Sequence, residues 1–136
     1  MLDFGSGSGV LSLGAALLGA TVDAIEIDAH AIAHAEHNAR ATGVADRIRH
    51  ARSLDDAPGP FDLVIANILR AVLLDHAGAL VARLAPGATL VLSGLVSTDV
   101  PEVSAAYARR LGDQRPEVYQ RDDWRALVWR QSAKAG

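Results

Sequence analysis

Apolar residues along this chain switch repeatedly between strand-like runs and helix-like spacing. Met1 to Phe4 reads as the end of a buried strand, and Val10 to Leu18 as a helix closed by Gly19. Thr21 to Ile27 is a β-branched run ending in Glu26-Ile27-Asp28, which predicts a second strand. Asp28 is placed to cap a helix from about His30 to Ala41, stopped by Gly43. Arg47 to Ala51 gives a weak third strand. Phe61 to Ala66 gives a strong fourth, entered through Pro58-Gly59-Pro60. Leu69, Leu73, Ala77, Leu80 and Leu84 fall on one helical face, so a long amphipathic helix should follow, ended by Pro86-Gly87. Thr89 to Leu92 forms a fifth strand. In Asp99-Val100-Pro101-Glu102, a capping acid, a first-turn proline and a glutamate at the third position predict another helix. Glu117 to Gln120 and Trp124 to Trp129 flank Arg121-Asp122-Asp123 as the arms of an antiparallel hairpin would.

Such alternation predicts an α/β protein with a Rossmann-like, doubly wound, mostly parallel sheet and a C-terminal antiparallel hairpin. Ligands of these sheets bind outside the carboxyl ends of the strands. Gly5 to Gly9, Glu26, Ser53 and Asn67 all follow predicted strands, so four strand ends are expected to aim candidate groups at one crevice. The first is the most specific. Asp3-Phe4-Gly5-Ser6-Gly7-Ser8-Gly9 places glycines at alternate positions between a strand and a helix. Glycine takes positive φ there and admits a ligand where a Cβ would block it. Free N–H groups opening the next helix favour an anionic or polar ligand group. A dinucleotide fingerprint would put its third glycine at position 10, but Val10 stands there and the glycine is Gly9. The spacing is wrong for NAD.

The bulk properties narrow the class. A chain of 136 residues suits one domain with its own core, and half its residues are hydrophobic, as in soluble globular proteins. A net charge of −3 gives no global reason to bind nucleic acid or an anionic membrane, so neither partner is expected. Up to Ile68 there are nine acids and four bases; from Leu69 onward there are seven acids and nine bases. Arg109, Arg110, Arg115, Arg121, Arg125 and Arg130 make the later half arginine-rich, which reads first as solvated surface and second as an anionic partner face. The lack of cysteine excludes disulfides, thiolate catalysis and cysteine zinc sites, and fits a cytoplasmic setting. The apolar run from Gly9 to Val22 is too short and glycine-rich to span a bilayer, and it lacks the basic start of a signal peptide. His30, His34 and His37 share a helix face opposite Ile32, Ala35 and Ala39; this reads as solvated surface, and no metal is expected. Trp124 and Trp129 read as packing residues of the last strand.

Met1 to Gly9, the acid after strand two and the terminal hairpin together resemble the class I S-adenosylmethionine-dependent methyltransferases. Phe61 to Leu69, the long helix, Pro86-Gly87, Leu92-Ser93-Gly94-Leu95 and Asp123-Trp124 narrow the resemblance. With Glu26-Ile27-Asp28, Ala31-Ile32, Ala35 and Asn38-Ala39, they resemble the ribosomal protein L11 methyltransferase family over nearly the whole chain. The resemblance implies S-adenosyl-L-methionine as cofactor and residues 1–136 as the catalytic domain. The family's upstream recognition domain, linker and threonine-bearing closing segment are expected to be missing.

Carried over by position, the resemblance puts Gly5 against the methionine part of the cofactor and Asp3 near its amino group. Glu26, where the family usually has aspartate, would accept from both ribose hydroxyls. Ser53 and Leu54 would flank the adenine, and Ser6, Gly7 and Ile27 complete the cofactor contacts. Asn67 would lie beside the cofactor and the incoming amine as the catalytic residue.

The implied function is N-methylation of amino groups of a protein substrate like ribosomal protein L11. A free lysine has a pKa of about 10.4, and only its neutral form attacks. A low-dielectric pocket lowers that value, and Asn67 would accept a hydrogen bond from the amine and aim its lone pair. No dedicated general base stands out. Two alternatives remain: a small-molecule methyltransferase on the same core, and a non-catalytic cofactor-binding or interaction module.

Overall fold

The structure, a computed structural model, describes residues 1–133, in two compact units divided after Pro58. The first unit contains β1 (Leu2–Phe4), α1 (Val10–Leu17), β2 (Val22–Ile25), α2 (Ala29–Thr42) and β3 (Ile48–Ala51). Its strands are parallel, with β2 between β1 and β3. Phe4 pairs with Ile25, and Ile25 with Ala51, so all three strands end level. The turns that follow them therefore open at one edge. Ala16, Val22, Ala24, Ala39, Val44 and Ile48 form the core beneath, where small alanines let the helices lie close to the strands. As expected, Asp28 caps α2, accepting from the His30 N–H at 2.9 Å. Gly43, at φ +79, ends that helix.

The second unit contains β4 (Phe61–Asn67), α3 (Arg70–Asp75), α4 (Ala77–Val81), β5 (Leu84–Val96), α5 (Val100–Ala108), β6 (Glu117–Arg121) and β7 (Trp124–Arg130). β4 and β5 are parallel, β7 runs antiparallel to β5, and β6 closes the predicted hairpin on β7. Leu73, Ala77 and Leu80 are buried, as the helical stripe requires.

Four sequence expectations change. The single long helix is two short ones, broken at His76 (φ −105, ψ 10). Gly78 weakens helix propensity just beyond the break, and the Arg110 guanidinium occupies the space where a side chain on Gly78 would lie. Pro86-Gly87 does not end the helix. Phe61 already donates to the Arg83 carbonyl and pairs with Leu84, so the dipeptide sits within β5, where the register shifts. Asp99 does not cap α5 with its side chain. Its carboxylate accepts from the Val96 N–H at 3.0 Å and lies 3.5 Å from Arg70 Nε. Trp124 is 58% exposed, whereas Trp129 packs as expected: it is fully buried, with its ring 5.8 Å from that of Tyr107.

Candidate functional site

The glycine turn leaves β1 with positive φ at all three glycines: +76 at Gly5, +55 at Gly7 and +85 at Gly9. Gly5 and Ser6 both donate their N–H groups to the Ile25 carbonyl, at 2.8 and 3.1 Å. The Gly7 N–H donates to Glu26 Oε1 at 2.9 Å, and the Asp28 N–H to Glu26 Oε2 at 3.0 Å. The acid at the end of β2 thus holds the turn at the end of β1, and helix capping falls to Asp28. These turn N–H groups are engaged within the protein. In the first turn of α1, Gly9 offers no side-chain cap and the Ser12 N–H turns to Asp3, which leaves Val10 and Leu11 as donors for a ligand.

Two of the glycines are required for different reasons. A Cβ on Gly9 would lie 3.0 Å from Ala35 Cβ, so Gly9 lets α1 approach α2. A Cβ on Gly7 would meet nothing within 4 Å, so the backbone there faces open space. That is the close approach which a cradled ligand needs.

Asp3 is 1% exposed, and its Oδ2 accepts from the equally buried Ser12 hydroxyl at 2.6 Å. Burial pushes the Asp3 carboxyl above its usual range and the nearby Glu26 charge adds to the rise, while the Ser12 hydrogen bonds pull it back. The sequence reading did not single out Ser12. Its signal was a lone hydroxyl within the apolar run of α1. The Ser6 hydroxyl is buried and has no hydrogen-bond partner among the described residues.

At the far strand, the Glu26 N–H donates to the Ala51 carbonyl at 3.0 Å. Arg52 donates from Nε and Nη2 to the Ile27 carbonyl, at 3.2 and 2.8 Å. Arg52 was another omission, legible only as a charge placed directly after a strand. It holds the ends of β2 and β3 together and leaves the Ile27 side chain 75% exposed. Ser53 accepts from the Asp55 N–H at 3.1 Å, capping the short 3-10 turn that Leu54 begins. Gly5 to Gly9, Glu26-Ile27 and Ser53-Leu54 therefore gather at the carboxyl edge of three adjacent parallel strands. A carboxylate with spare lone pairs, an open glycine turn and an exposed aliphatic surface suit a ligand with vicinal hydroxyls and a flat apolar ring.

Asn67 belongs to the second unit, where it ends β4, pairs with Ser93 and is exposed. It is not the cap of the following helix, because Leu69 holds that position. Among the described residues, no group of three or more His, Asp or Glu is arranged to hold a metal, and no helix is long and apolar enough to cross a membrane.

Comparison with known proteins identifies the fold and the family. A family model described as Ribosomal protein L11 methyltransferase (PrmA) matches residues 1–132. The ribosomal protein L11 methyltransferase of Methylococcus capsulatus is 42% identical over 129 residues, covering 94% of this chain and 44% of that protein. The chain thus spans less than half the length of this curated relative. Among solved structures, the ribosomal protein L11 methylase of Lactobacillus delbrueckii subsp. bulgaricus superposes with a TM-score of 0.84 and 31% identity, covering 96% of this chain and 69% of that one. An RNA methyltransferase of Salinibacter ruber, solved with S-adenosyl-L-homocysteine, shares the fold at a TM-score of 0.75 and 23% identity, over 99% of this chain and 82% of its own. The Rossmann-like, mostly parallel class I methyltransferase fold with its antiparallel end is therefore the fold of this chain. Because the family model runs through both units, the chain belongs to the ribosomal protein L11 methyltransferase family.

Proposed function

We propose that this chain binds S-adenosyl-L-methionine through its first unit and takes part in N-methylation of a protein amino group, with ribosomal protein L11 as the substrate. The observation that carries the reading is the Glu26 carboxylate, whose Oε1 braces the open Gly7 turn while its Oε2 accepts from the Asp28 N–H. Each carboxylate oxygen keeps another lone pair, so Glu26 can still accept from two ribose hydroxyls. Gly7 fits the same ligand, since its missing side chain leaves open space beside that acceptor.

Ile27 and Leu54 offer apolar surface to an adenine ring, with Ser53 at its edge. Asp3, whose Oδ2 already accepts from the Ser12 hydroxyl, meets the cofactor's amino group directly or through a water. Gly5 and Ser6 present backbone to the methionine end. When bound, the cofactor supplies an electrophilic methyl group on sulfur. Asn67 accepts a hydrogen bond from the neutral substrate amine and aims its lone pair, which makes it the catalytic residue. Exclusion of water around that amine lowers its pKa, so a charged base is not required.

Titration calorimetry tests the first step. S-adenosylmethionine or its demethylated product should bind, and NAD should not. Transfer of radiolabelled methyl to purified ribosomal protein L11 tests the second. Failure of both adenosyl compounds to bind would overturn the reading at its root. Binding without label on L11 would remove L11 as the substrate of this chain.

A further inference from the structure

Asn67 has an unusual neighbour on the adjacent strand. β4 and β5 run parallel, and their register ends at the Asn67–Ser93 pair. At that level β5 bulges against β7. Leu92 faces Leu127 and Leu95 faces Arg125, so Ser93 and Gly94 together oppose the single Ala126. Bulges of this kind bend a strand end and re-aim the side chains around it. Gly94 has φ +77, a conformation that side-chain-bearing residues rarely adopt. A Cβ on Gly94 would lie 2.6 Å from Asn67 Oδ1, closer than any real contact. The next atoms, the N and O of Ile68, would be 3.6 Å away, at ordinary contact distance. The space a side chain would take at Gly94 is thus filled by the Asn67 carboxamide rather than by backbone.

We infer that Gly94 is a positioning residue for Asn67: its missing side chain lets the carboxamide rest against the β5 bulge. A Cβ at Gly94 would leave β4 in place and swing the carboxamide away, because the clashing atom is the free end of a side chain. A displacement of that size misaligns a hydrogen bond meant to orient an attacking amine, and misalignment costs rate. The consequence for rate rests on the proposed role of Asn67; the steric relationship does not.

Gly94→Ala introduces the Cβ, and Gly94→Asn introduces it with a residue more tolerant of positive φ. In nitrogen–proton NMR spectra, the Asn67 side-chain amide pair, assigned by its loss in Asn67→Ala, should move in both variants. Backbone signals away from the ends of β4 and β5 should stay in place. Both variants should lower methyl transfer roughly tenfold or more while cofactor affinity stays within about twofold. In an Asn67→Ala background, Gly94→Ala should have no further effect on rate. Unmoved Asn67 amide signals would overturn the inference, and so would an equal loss of rate in both backgrounds. If Asn67→Ala leaves the rate intact, the role proposed for Asn67 fails, and the spectra still decide the role of Gly94.

Discussion

The Glu26 carboxylate accepts the Gly7 N–H at 2.9 Å, so the acid that ends β2 is also the brace of the turn that ends β1. The same side chain is the proposed acceptor for the ligand's ribose, so both roles should fail together. Glu26→Ala should weaken S-adenosylmethionine binding by about 1.5–3 kcal/mol, the usual loss for hydrogen bonds to a charged group. That corresponds to roughly 10- to 150-fold in calorimetric affinity. Unchanged affinity would remove Glu26 from the site.

Asn67→Ala should separate rate from binding. The carboxamide is exposed and Leu69 holds the N-cap position of α3, so the variant should keep its melting temperature. The methyl-transfer rate should fall roughly tenfold or more, while cofactor affinity should change by less than about twofold. Intact turnover in a destabilised protein would instead make Asn67 a structural residue.

Much of the candidate site was legible because it lies where strands end. Alternate glycines, an acid after β2 and an asparagine at the end of β4 are positional signals that survive without side-chain geometry. Ser12 and Arg52 were not legible, since their importance depends on partners nine and twenty-five positions away, Asp3 and Ile27. The errors in the later half share a cause. Leu84 continues the helical period, yet pairing of Phe61 with Leu84 draws the chain into β5. Likewise, Asp99 has the sequence of a helix cap, but the Val96 N–H and Arg70 compete for its carboxylate. Tertiary partners decided both.

Tyr107 ties α5 to α3. Its hydroxyl donates to the Leu73 carbonyl at 2.6 Å, its side chain is fully buried, and burial raises its pKa far above the usual tyrosine value. Tyr107→Phe keeps the stacking on Trp129 but leaves a buried carbonyl without this donor. The expected loss is about 1–3 kcal/mol in urea unfolding. A loss of less than a few tenths would mean that water replaces the hydroxyl.

Asp3 gives a pH test whose sign follows from its burial. Its carboxyl in the folded chain is held above the ordinary value of 3.8, chiefly by desolvation. Between those two values the folded protein keeps a proton that the unfolded chain has released. Stability contributed by this group therefore falls as pH rises through that window, and the penalty is constant above it. Glu117 acts in the opposite direction: the Tyr119 hydroxyl and Arg130 lower its pKa, so its contribution is lost as pH falls. Comparing wild type with Asp3→Asn cancels Glu117 and isolates Asp3. The asparagine cannot ionise and can still accept from Ser12, so its stability advantage should grow as pH rises from about 4 and level off above the folded pKa of Asp3. Ser12→Ala should shift the other way, because the carboxylate loses its hydroxyl donor, with a deficit of about 1–3 kcal/mol that is largest at neutral pH. Urea unfolding at several values between about pH 4 and pH 7 measures all three proteins. An Asp3→Asn difference that is flat across that range would show that Asp3 titrates like an exposed acid, and that the Ser12 hydroxyl, not burial, sets its charge.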